Sequence, residues 1–323
     1  MTYALLSGCA AALVSLAAGY PLVAFLRAKK IGKAIAAEGP QTHMVKAGTP
    51  TMGGLLFIGV AILVGLVTAL PKDRDVLLPI GVAALFLVIG WYDDLGTLID
   101  REKREAHGRS GMILKLAGFT AVSIAASWSL YDGIDAPRLL VPHYGAYDIG
   151  PLYIPIAVAV IVATTSAVGV SDGLDSLTGS TTAVAFAAFG AIALMQGQTG
   201  LATFCFVMVG SLAGFLWFNA YPARVFMGDA GSLPLGGVLA IVALMTGWWL
   251  LVPVIGVFFT AEILADVIQI GSYRLRGGKR VFKMAPLHCH FEQLGMPETQ
   301  ITARFLLITV VGSLLGVALA GLD

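Results

Sequence analysis

The chain has 323 residues, of which 58% are hydrophobic and 12% charged, and its formal net charge is +1. The mean hydropathy of +0.87 excludes an ordinary soluble enzyme and predicts a membrane protein, so the length counts membrane spans rather than soluble domains. The expected surroundings are therefore a lipid bilayer, and no nucleic-acid partner is expected.

Apolar windows of about 18 to 23 residues predict an all-α polytopic membrane protein with about ten transmembrane helices in one integral-membrane domain, residues 1–323. Residues 132–150 mix turn formers with Tyr and Val, which predicts a small hairpin. The predicted spans lie near residues 3–26, 52–70, 76–92, 112–131, 151–170, 178–196, 200–218, 232–250, 252–273 and 301–320.

The basic residues predict the orientation. If the N-terminus lies outside, all of the 20 Lys and Arg residues except Lys72, Arg74 and Arg138 fall on the inner side, as the positive-inside rule requires. Both termini and the hairpin are then expected outside. The inner loops expected to form an active site are residues 27–51, 93–111, 171–177, 219–231 and 274–300.

Five aspartates stand at the inner ends of apolar runs, where an unpartnered carboxylate costs up to about 3 kcal/mol. Asp93 and Asp94 end the third span. Adjacent side chains on a helix diverge by about 100°, so the two acids are expected to do different jobs, or else to form an interfacial cap or ion pair.

The other three aspartates lie in two further inner loops. If Asp172 and Asp175 are helical, they share one face; alternatively Ser171 or Asp172 caps the next helix. Asp229 lies in a Gly-rich turn just before a helix, where free backbone N–H groups favour an anion such as phosphate.

The last inner loop carries five cations followed by His288 and His290 on either side of Cys289. The two histidines could bind a transition metal or contact phosphate. Five cations beside five acids indicate a polyanionic substrate with a hard cation such as Mg²⁺. Lys46 and Lys115 stand near span starts on the same face, although each alone could simply reach to water.

Three polar residues, Glu262, Asp266 and Gln269, recur at helical spacing within the ninth span. They define one polar face that points toward the interior of a helix bundle. This face predicts either a path for protons or ions, or an internal hydrogen-bonded brace.

The segments HMVKAGTPTMGG, WYDD, SDGLDSL, FNAYPARVFMGDAGSLPLGG, ADVIQ and KRVFKMAPLHCHFE occur in this order. From about residue 25 onward, the chain resembles the phospho-N-acetylmuramoyl-pentapeptide transferase (MraY) family. The loop APLHCHFE discriminates most, because the acidic motifs are shared with the wider superfamily of polyprenyl-phosphate sugar-1-phosphate transferases.

The resemblance implies a Mg²⁺-dependent reaction at the cytoplasmic face of the bacterial inner membrane, commonly by a homodimer. UDP-N-acetylmuramoyl-pentapeptide and undecaprenyl phosphate would give lipid I, a peptidoglycan precursor, and UMP. Direct attack with Asp93 as base, or two-step transfer through an aspartate of the pair, both remain open.

The resemblance also implies roles for single residues. Asp93, Asp94 and Asp229 take the essential acidic positions, and Asp229 is the Mg²⁺ ligand. His288 and Lys115 are the other catalytic candidates. The positions implied for substrate binding are Lys46, Asp172, Asp175, Asn219, Phe226 and His290.

Three residues depart from the family pattern. Cys289 replaces the middle of three histidines, Gly169 replaces an asparagine, and Thr97 replaces a lysine. A divergent paralogue, or a related transferase using another UDP-HexNAc, is therefore the alternative enzyme. A proton-coupled transporter would explain the polar ninth span, but not polar motifs confined to one face.

Overall fold

The computed structural model describes residues 1–29, 48–96, 101–133 and 138–322. Within these ranges the chain is almost entirely helical, which confirms the predicted all-α polytopic class. The helices are α1 Thr2–Ala28, α2 Gly54–Thr68, α3 Leu77–Gly96, α4 Arg101–Trp128, α5 Tyr153–Ser171, α6 Leu177–Met195, α7 Thr199–Asn219, α8 Asp229–Met245, α9 Val252–Ile255, α10 Val257–Leu275, α11 Leu287–Gln293 and α12 Glu298–Ala320.

Nine of the ten predicted spans fall on one helix each, and the ninth falls on two, α9 and α10. In the part of the chain that the structure describes, α1, α3, α5, α6, α7 and α12 are long and apolar enough to cross a bilayer, and α2 and α8 are shorter apolar helices. The total of ten crossings and the outward termini stay predictions.

The ninth span is not the continuous helix that its apolar length predicted. Helices α9 and α10 meet at Gly256, and the two segments are bent by 86°. Gly256 has φ −93° and ψ 37°, outside helical geometry, so the regular hydrogen-bond pattern stops there. The bend therefore turns α10 away from the direction of α9 before the chain enters the last inner loop.

The predicted hairpin is confirmed. Strands β1 Arg138–Val141 and β2 Gly145–Asp148 pair antiparallel, with Val141 opposite Gly145. The Leu140 N–H donates to the carbonyl of Gly247, at 3.1 Å. Because Gly247 follows the C-terminus of α8, the hairpin lies at the opposite end of the bundle from Asp229.

Helix α8 is the centre of the bundle, because its residues from Ala230 to Met245 are all buried. Two adjacent glycines let neighbouring helices close on it. A Cβ on Gly236 would lie 2.6 Å from the Cα of Thr165 in α5, and one on Gly237 would lie 2.0 Å from the Phe86 ring of α3. Because α8 is packed on all sides, the position of its N-terminus is fixed.

Two further glycines bring α2 and α3 onto the first turn of α8. A Cβ on Gly54 would stand 2.2 Å from the backbone nitrogen of Gly231, and one on Gly90 would stand 2.1 Å from the carbonyl oxygen of Asp229. At either position, the side chain of a larger residue would clash with the backbone of α8. The position of Asp229 is therefore set by contacts that only glycine permits.

Replacing Gly90 by alanine should separate α3 from α8, since the atom that Cβ meets is backbone and cannot rotate away. Overpacking of this kind costs about 1–3 kcal/mol, so we expect Gly90→Ala to lower the thermal unfolding midpoint in detergent. Gly81→Ala on the same helix is the control, because a Cβ there meets nothing within 4 Å. Equal midpoints for the two variants would contradict the tight contact.

Candidate active site

The carboxylate of Asp94 caps α8 from the neighbouring helix α3. Its Oδ1 accepts the N–H of Asp229 at 3.1 Å, and its Oδ2 accepts the N–H of Ala230 at 3.0 Å. The first N–H groups of a helix lack partners within the helix, and a negative charge is favoured there. Gly228 precedes them with φ 71°, a conformation that suits glycine. Asp94 is buried and fixes where Asp229 stands.

Asp93 points to a different partner, as the divergence of adjacent helical side chains predicted. Lys115 of α4 donates through Nζ to Asp93 Oδ2 at 3.0 Å and also to Asp229 Oδ2. The three side chains are 26%, 31% and 29% exposed for Lys115, Asp93 and Asp229. Two carboxylates from α3 and α8 thus share one cation, in a place that water reaches.

The structure describes no group of three or more His, Cys, Asp or Glu side chains able to hold a metal ion. The two carboxylates that flank the Lys115 ammonium do fit Mg²⁺ in number and kind, because Mg²⁺ binds through one or two carboxylates and completes its shell with water and substrate phosphates. Asp229 and Asp93 are the residues with that arrangement, since Asp94 is engaged by backbone N–H groups.

Asp172 and Asp175 do not share a helical face, so that expectation is wrong. Helix α5 ends at Ser171 and α6 begins after Ser176, which has φ 64°. The expected caps are also absent: the residue that caps α6 is Ser176, and its side chain makes no capping bond. The Ser171 hydroxyl instead donates to the Ala167 carbonyl at 2.7 Å.

Asp175 is buried and ties the loop 172–176 to two other elements. Its Oδ2 accepts the Ala223 N–H at 2.9 Å, and its own N–H donates to Glu298 Oε1 of α12 at 2.6 Å. Asp172, in contrast, is half-buried. The two aspartates therefore differ, since Asp175 holds the loop and Asp172 lies nearer its surface.

Asn219, the last residue of α7, holds the same loop from another side. Its Oδ1 accepts the Ser176 N–H at 2.9 Å, and its Nδ2 donates to the Val225 carbonyl at 2.9 Å. The next residue, Phe226, is half-buried; its N–H donates to the Pro50 carbonyl at 2.7 Å. The loop 220–228 thus connects the region of Asp175 with that of Asp229.

Glu262 supports the histidine loop from α10. It is 0% exposed, and it accepts the N–H groups of Leu287 at 2.7 Å and His288 at 3.1 Å, the first residues of α11. The His288 Nδ1 lies 3.3 Å from Glu262 Oε2, within ion-pair range. Gln269 similarly accepts the Phe282 N–H at 3.0 Å. Of the two hypotheses for the polar face of α10, an ion path or a hydrogen-bonded brace, these contacts support the brace.

His288 is 3% exposed, and its neighbours favour the charged imidazolium. Burial opposes that charge, but hydrogen bonding to Cys289 and the carboxylate of Glu262 raise the pKa of His288 to about 10. A Cβ on Gly173 would lie 2.1 Å from His288 Nε2, so the ring packs directly on the loop 172–176. The structure thus places His288 against the loop that carries Asp172 and Asp175.

His290 accepts the Lys283 N–H through Nδ1 at 3.2 Å, and its ring contacts Phe282 at 5.6 Å. His290 therefore helps to hold the conformation of the inner loop 274–300.

Lys46 and Thr97 lie outside the described residues.

The sequence did not reveal the residues that position the site but take no part in its chemistry. Gly90 precedes Asp94 by four residues, one helical turn, and this spacing was a usable signal. Gly54 and Glu298 offered no comparable signal, because their partners, Gly231 and Asp175, are far away in the chain.

The helical membrane fold, with its acidic cluster where α3 meets α8, defines a membrane-embedded transferase: residues 76–247 match the model of glycosyl transferase family 4. Residues 46–58 match signature 1 of phospho-N-acetylmuramoyl-pentapeptide-transferase. The chain belongs to the phospho-N-acetylmuramoyl-pentapeptide transferase family, as its motifs predicted.

Three relatives of that name support this assignment. The Chloroflexus aurantiacus protein is 43% identical, over 99% of this chain and 90% of its own. The Heliobacterium modesticaldum protein is 41% identical over 96% and 95%, and the Clostridium novyi protein 40% identical over 94% and 92%. The likeness thus extends over nearly the whole chain.

The Glu262–His288 pair predicts a stability that depends on pH. The pKa of an unfolded histidine is about 6.5, and that of folded His288 is about 10. Because folding raises this pKa, the stabilisation is complete below a pH of about 6.5 and is lost as the pH rises toward about 10. The thermal unfolding midpoint in detergent should therefore fall across this range.

The variant Glu262→Gln removes the charge and should flatten this fall, which is worth on the order of a few kcal/mol. His288→Asn should flatten it equally, because it removes the titrating group itself. A slope identical in both variants and the parent would show that another group is responsible.

Proposed function

We propose that this protein transfers phospho-N-acetylmuramoyl-pentapeptide from UDP-N-acetylmuramoyl-pentapeptide to undecaprenyl phosphate, giving lipid I and UMP for peptidoglycan synthesis. The relatives that carry this enzyme's name support the substrate class. The structural observation that supports it is the convergence of Asp93 and Asp229 on Lys115. This arrangement suits a reaction between two phosphate-bearing substrates.

The reaction forms one phosphorus–oxygen bond and breaks another. A phosphate oxygen of the lipid attacks the β-phosphorus of the UDP-sugar, and the bridging oxygen leaves with UMP. Both reactants are anions, so charge neutralisation and positioning are the main demands on the protein. Lys115 contributes to the first demand, because its ammonium offsets part of the negative charge that Asp93 and Asp229 bring to the site.

The pair of adjacent aspartates divides its work. Asp94 uses both carboxylate oxygens to hold the first turn of α8, so it positions Asp229. Asp93 is partly exposed and reaches the shared cation, which favours it as the member of the pair that acts on substrate. It serves as the base toward the lipid phosphate in a direct transfer, or as the nucleophile in a two-step transfer.

Asp229, with Asp93 as a second carboxylate, would hold Mg²⁺. A bound Mg²⁺ supplies Lewis-acid neutralisation of phosphate charge. Asp229 lies at the N-terminus of α8, where the positive end of the helix dipole favours its carboxylate and a substrate phosphate.

The nucleotide is expected to bind on the side of the loop 172–176. Asp172 and Phe226 are half-buried and can present surface to it, whereas Asp175 and Asn219 hold the loop from below. Lys46 and His290 are the further proposed contacts. The His288 imidazolium, packed on Gly173, adds positive charge near the phosphates.

The membrane setting is part of the proposal. One integral-membrane domain, residues 1–323, would present the site on the cytoplasmic face of the inner membrane, because most of the Lys and Arg residues fall on that side of the predicted topology. The pairing of Asp93, Lys115 and Asp229 is intact within one chain. A homodimer would thus carry one such site in each chain.

A donor panel tests the substrate. Purified protein in detergent with Mg²⁺ and a polyprenyl phosphate should release UMP from UDP-N-acetylmuramoyl-pentapeptide. Release from UDP-N-acetylglucosamine alone would identify the related UDP-HexNAc transferase instead. Asp229→Asn should lower kcat at least about a hundredfold without changing the unfolding midpoint, and near-normal turnover would remove it as the metal ligand.

The two members of the aspartate pair should respond differently to the same substitution. Asp93→Asn should lower kcat by about 10²- to 10⁴-fold at an unchanged unfolding midpoint. Asp94→Asn should lower the midpoint as well, because its NH2 group would face one of the two N–H donors that the carboxylate accepts, and a buried donor left unsatisfied costs about 1–3 kcal/mol. Asp132→Asn is the control, since Asp132 is exposed and lies just before the hairpin. Matching midpoints for the Asp93 and Asp94 variants would disprove the division.

A further inference from the structure

Glu262 is a fully buried carboxylate in α10, outside the group formed by Asp93, Lys115 and Asp229. A buried charge is costly unless it is paired and hydrogen-bonded. Glu262 meets this requirement with partners from α11, since it accepts the N–H groups of Leu287 and His288 and lies within ion-pair range of the His288 imidazole. These contacts hold α11 in place.

Helix α11 needs this support. It has 7 residues, Leu287–Gln293, and isolated helices of that length are not stable in water. Its first N–H groups have no partners within the helix, and Glu262 accepts two of them. The carboxylate therefore fixes both the start and the position of α11.

The position of α11 decides where His288 lies. Its Nε2 comes so close to Gly173 that a Cβ there would be 2.1 Å away. On its other side, the same loop is held by Glu298, which accepts the Asp175 N–H at 2.6 Å. The loop 172–176 is thus seated between His288 and α12.

The charged and titratable groups around His288 are few. Glu262 and Asp266 come from α10 and Cys289 from α11 itself. Asp172 and Asp175 flank Gly173 in the loop. Among these, Glu262 is the residue whose carboxylate accepts the first N–H groups of α11.

We propose that Glu262 is a positioning residue for the UDP-sugar: by holding α11 it makes His288 seat the loop 172–176 in the conformation that binds the nucleotide. This rests on the proposed function of that loop. Glu262 itself touches no reacting atom. Its effect should thus fall on donor binding and not on the transfer step.

The kinetic test uses Glu262→Gln, which keeps an oxygen acceptor but removes the charge. The KM for UDP-N-acetylmuramoyl-pentapeptide should rise on the order of tenfold, which corresponds to about 1.4 kcal/mol. The kcat and the KM for polyprenyl phosphate should stay within about twofold. An unchanged donor KM, or an equal rise in both KM values, would overturn the proposal.

Asp266→Asn is the matched control, since it removes the same charge one turn further along α10. Its donor KM should stay near that of the parent protein. A rise equal to that of Glu262→Gln would mean that total charge, and not the capping contact, sets the affinity, and would overturn the proposal.

Hydrogen exchange tests the coupling without any substrate. Glu262→Gln should speed amide exchange in residues 287–290 and also in residues 171–176, while Asp266→Asn should speed neither. Faster exchange confined to residues 287–290 would contradict the proposal. If the parent protein released no UMP, the proposed function would fail, yet this measurement would still report on the coupling.

Gly173→Ala provides an independent variant, because its Cβ would displace His288 while Glu262 remains. It should reproduce the rise in donor KM. Gly271→Ala is its control, since a Cβ there meets nothing within 4 Å. A normal donor KM in Gly173→Ala would show that the contact between His288 and the loop does not set donor affinity.

Discussion

The two backbone N–H groups that open α8, those of Asp229 and Ala230, bind the carboxylate of Asp94. Helix α8 is buried along its length, so these donors need partners within the protein. The contact joins α3 to α8 and holds Asp229 beside Lys115. Together with the close glycine contacts of α2 and α3, it fixes the proposed metal ligand relative to the other acids.

The acids near that turn are arranged to limit their mutual repulsion. The charge of Asp94 is stabilised by hydrogen bonds from helix N–H groups, while Asp93 and Asp229 share the ammonium of Lys115. Asp93 and Asp229 remain partly exposed. Contact with water lowers the cost of their charge in a membrane protein and leaves them accessible to substrate. Packing and chemistry thus use different members of one short cluster.

The nucleotide side of the proposed site follows the same rule. Buried Asp175, Asn219 and Glu262 bind backbone N–H groups of other loops. Asp172 and Phe226 of the same loops are only half-buried. The residues of these loops therefore differ in burial, and a sequence motif lists the buried and the partly exposed ones together.

The sequence by itself determined the membrane class, the approximate helices, the hairpin and the acidic residues of the site, because apolar length and charge placement are local properties. It did not determine the break at Gly256, the shape of the loop 172–176 or the task of Glu262. Those depend on which unpaired backbone N–H groups a distant carboxylate meets, and on how closely glycines such as Gly90 let two helices approach. Such pairings exist only between elements that the tertiary structure brings together.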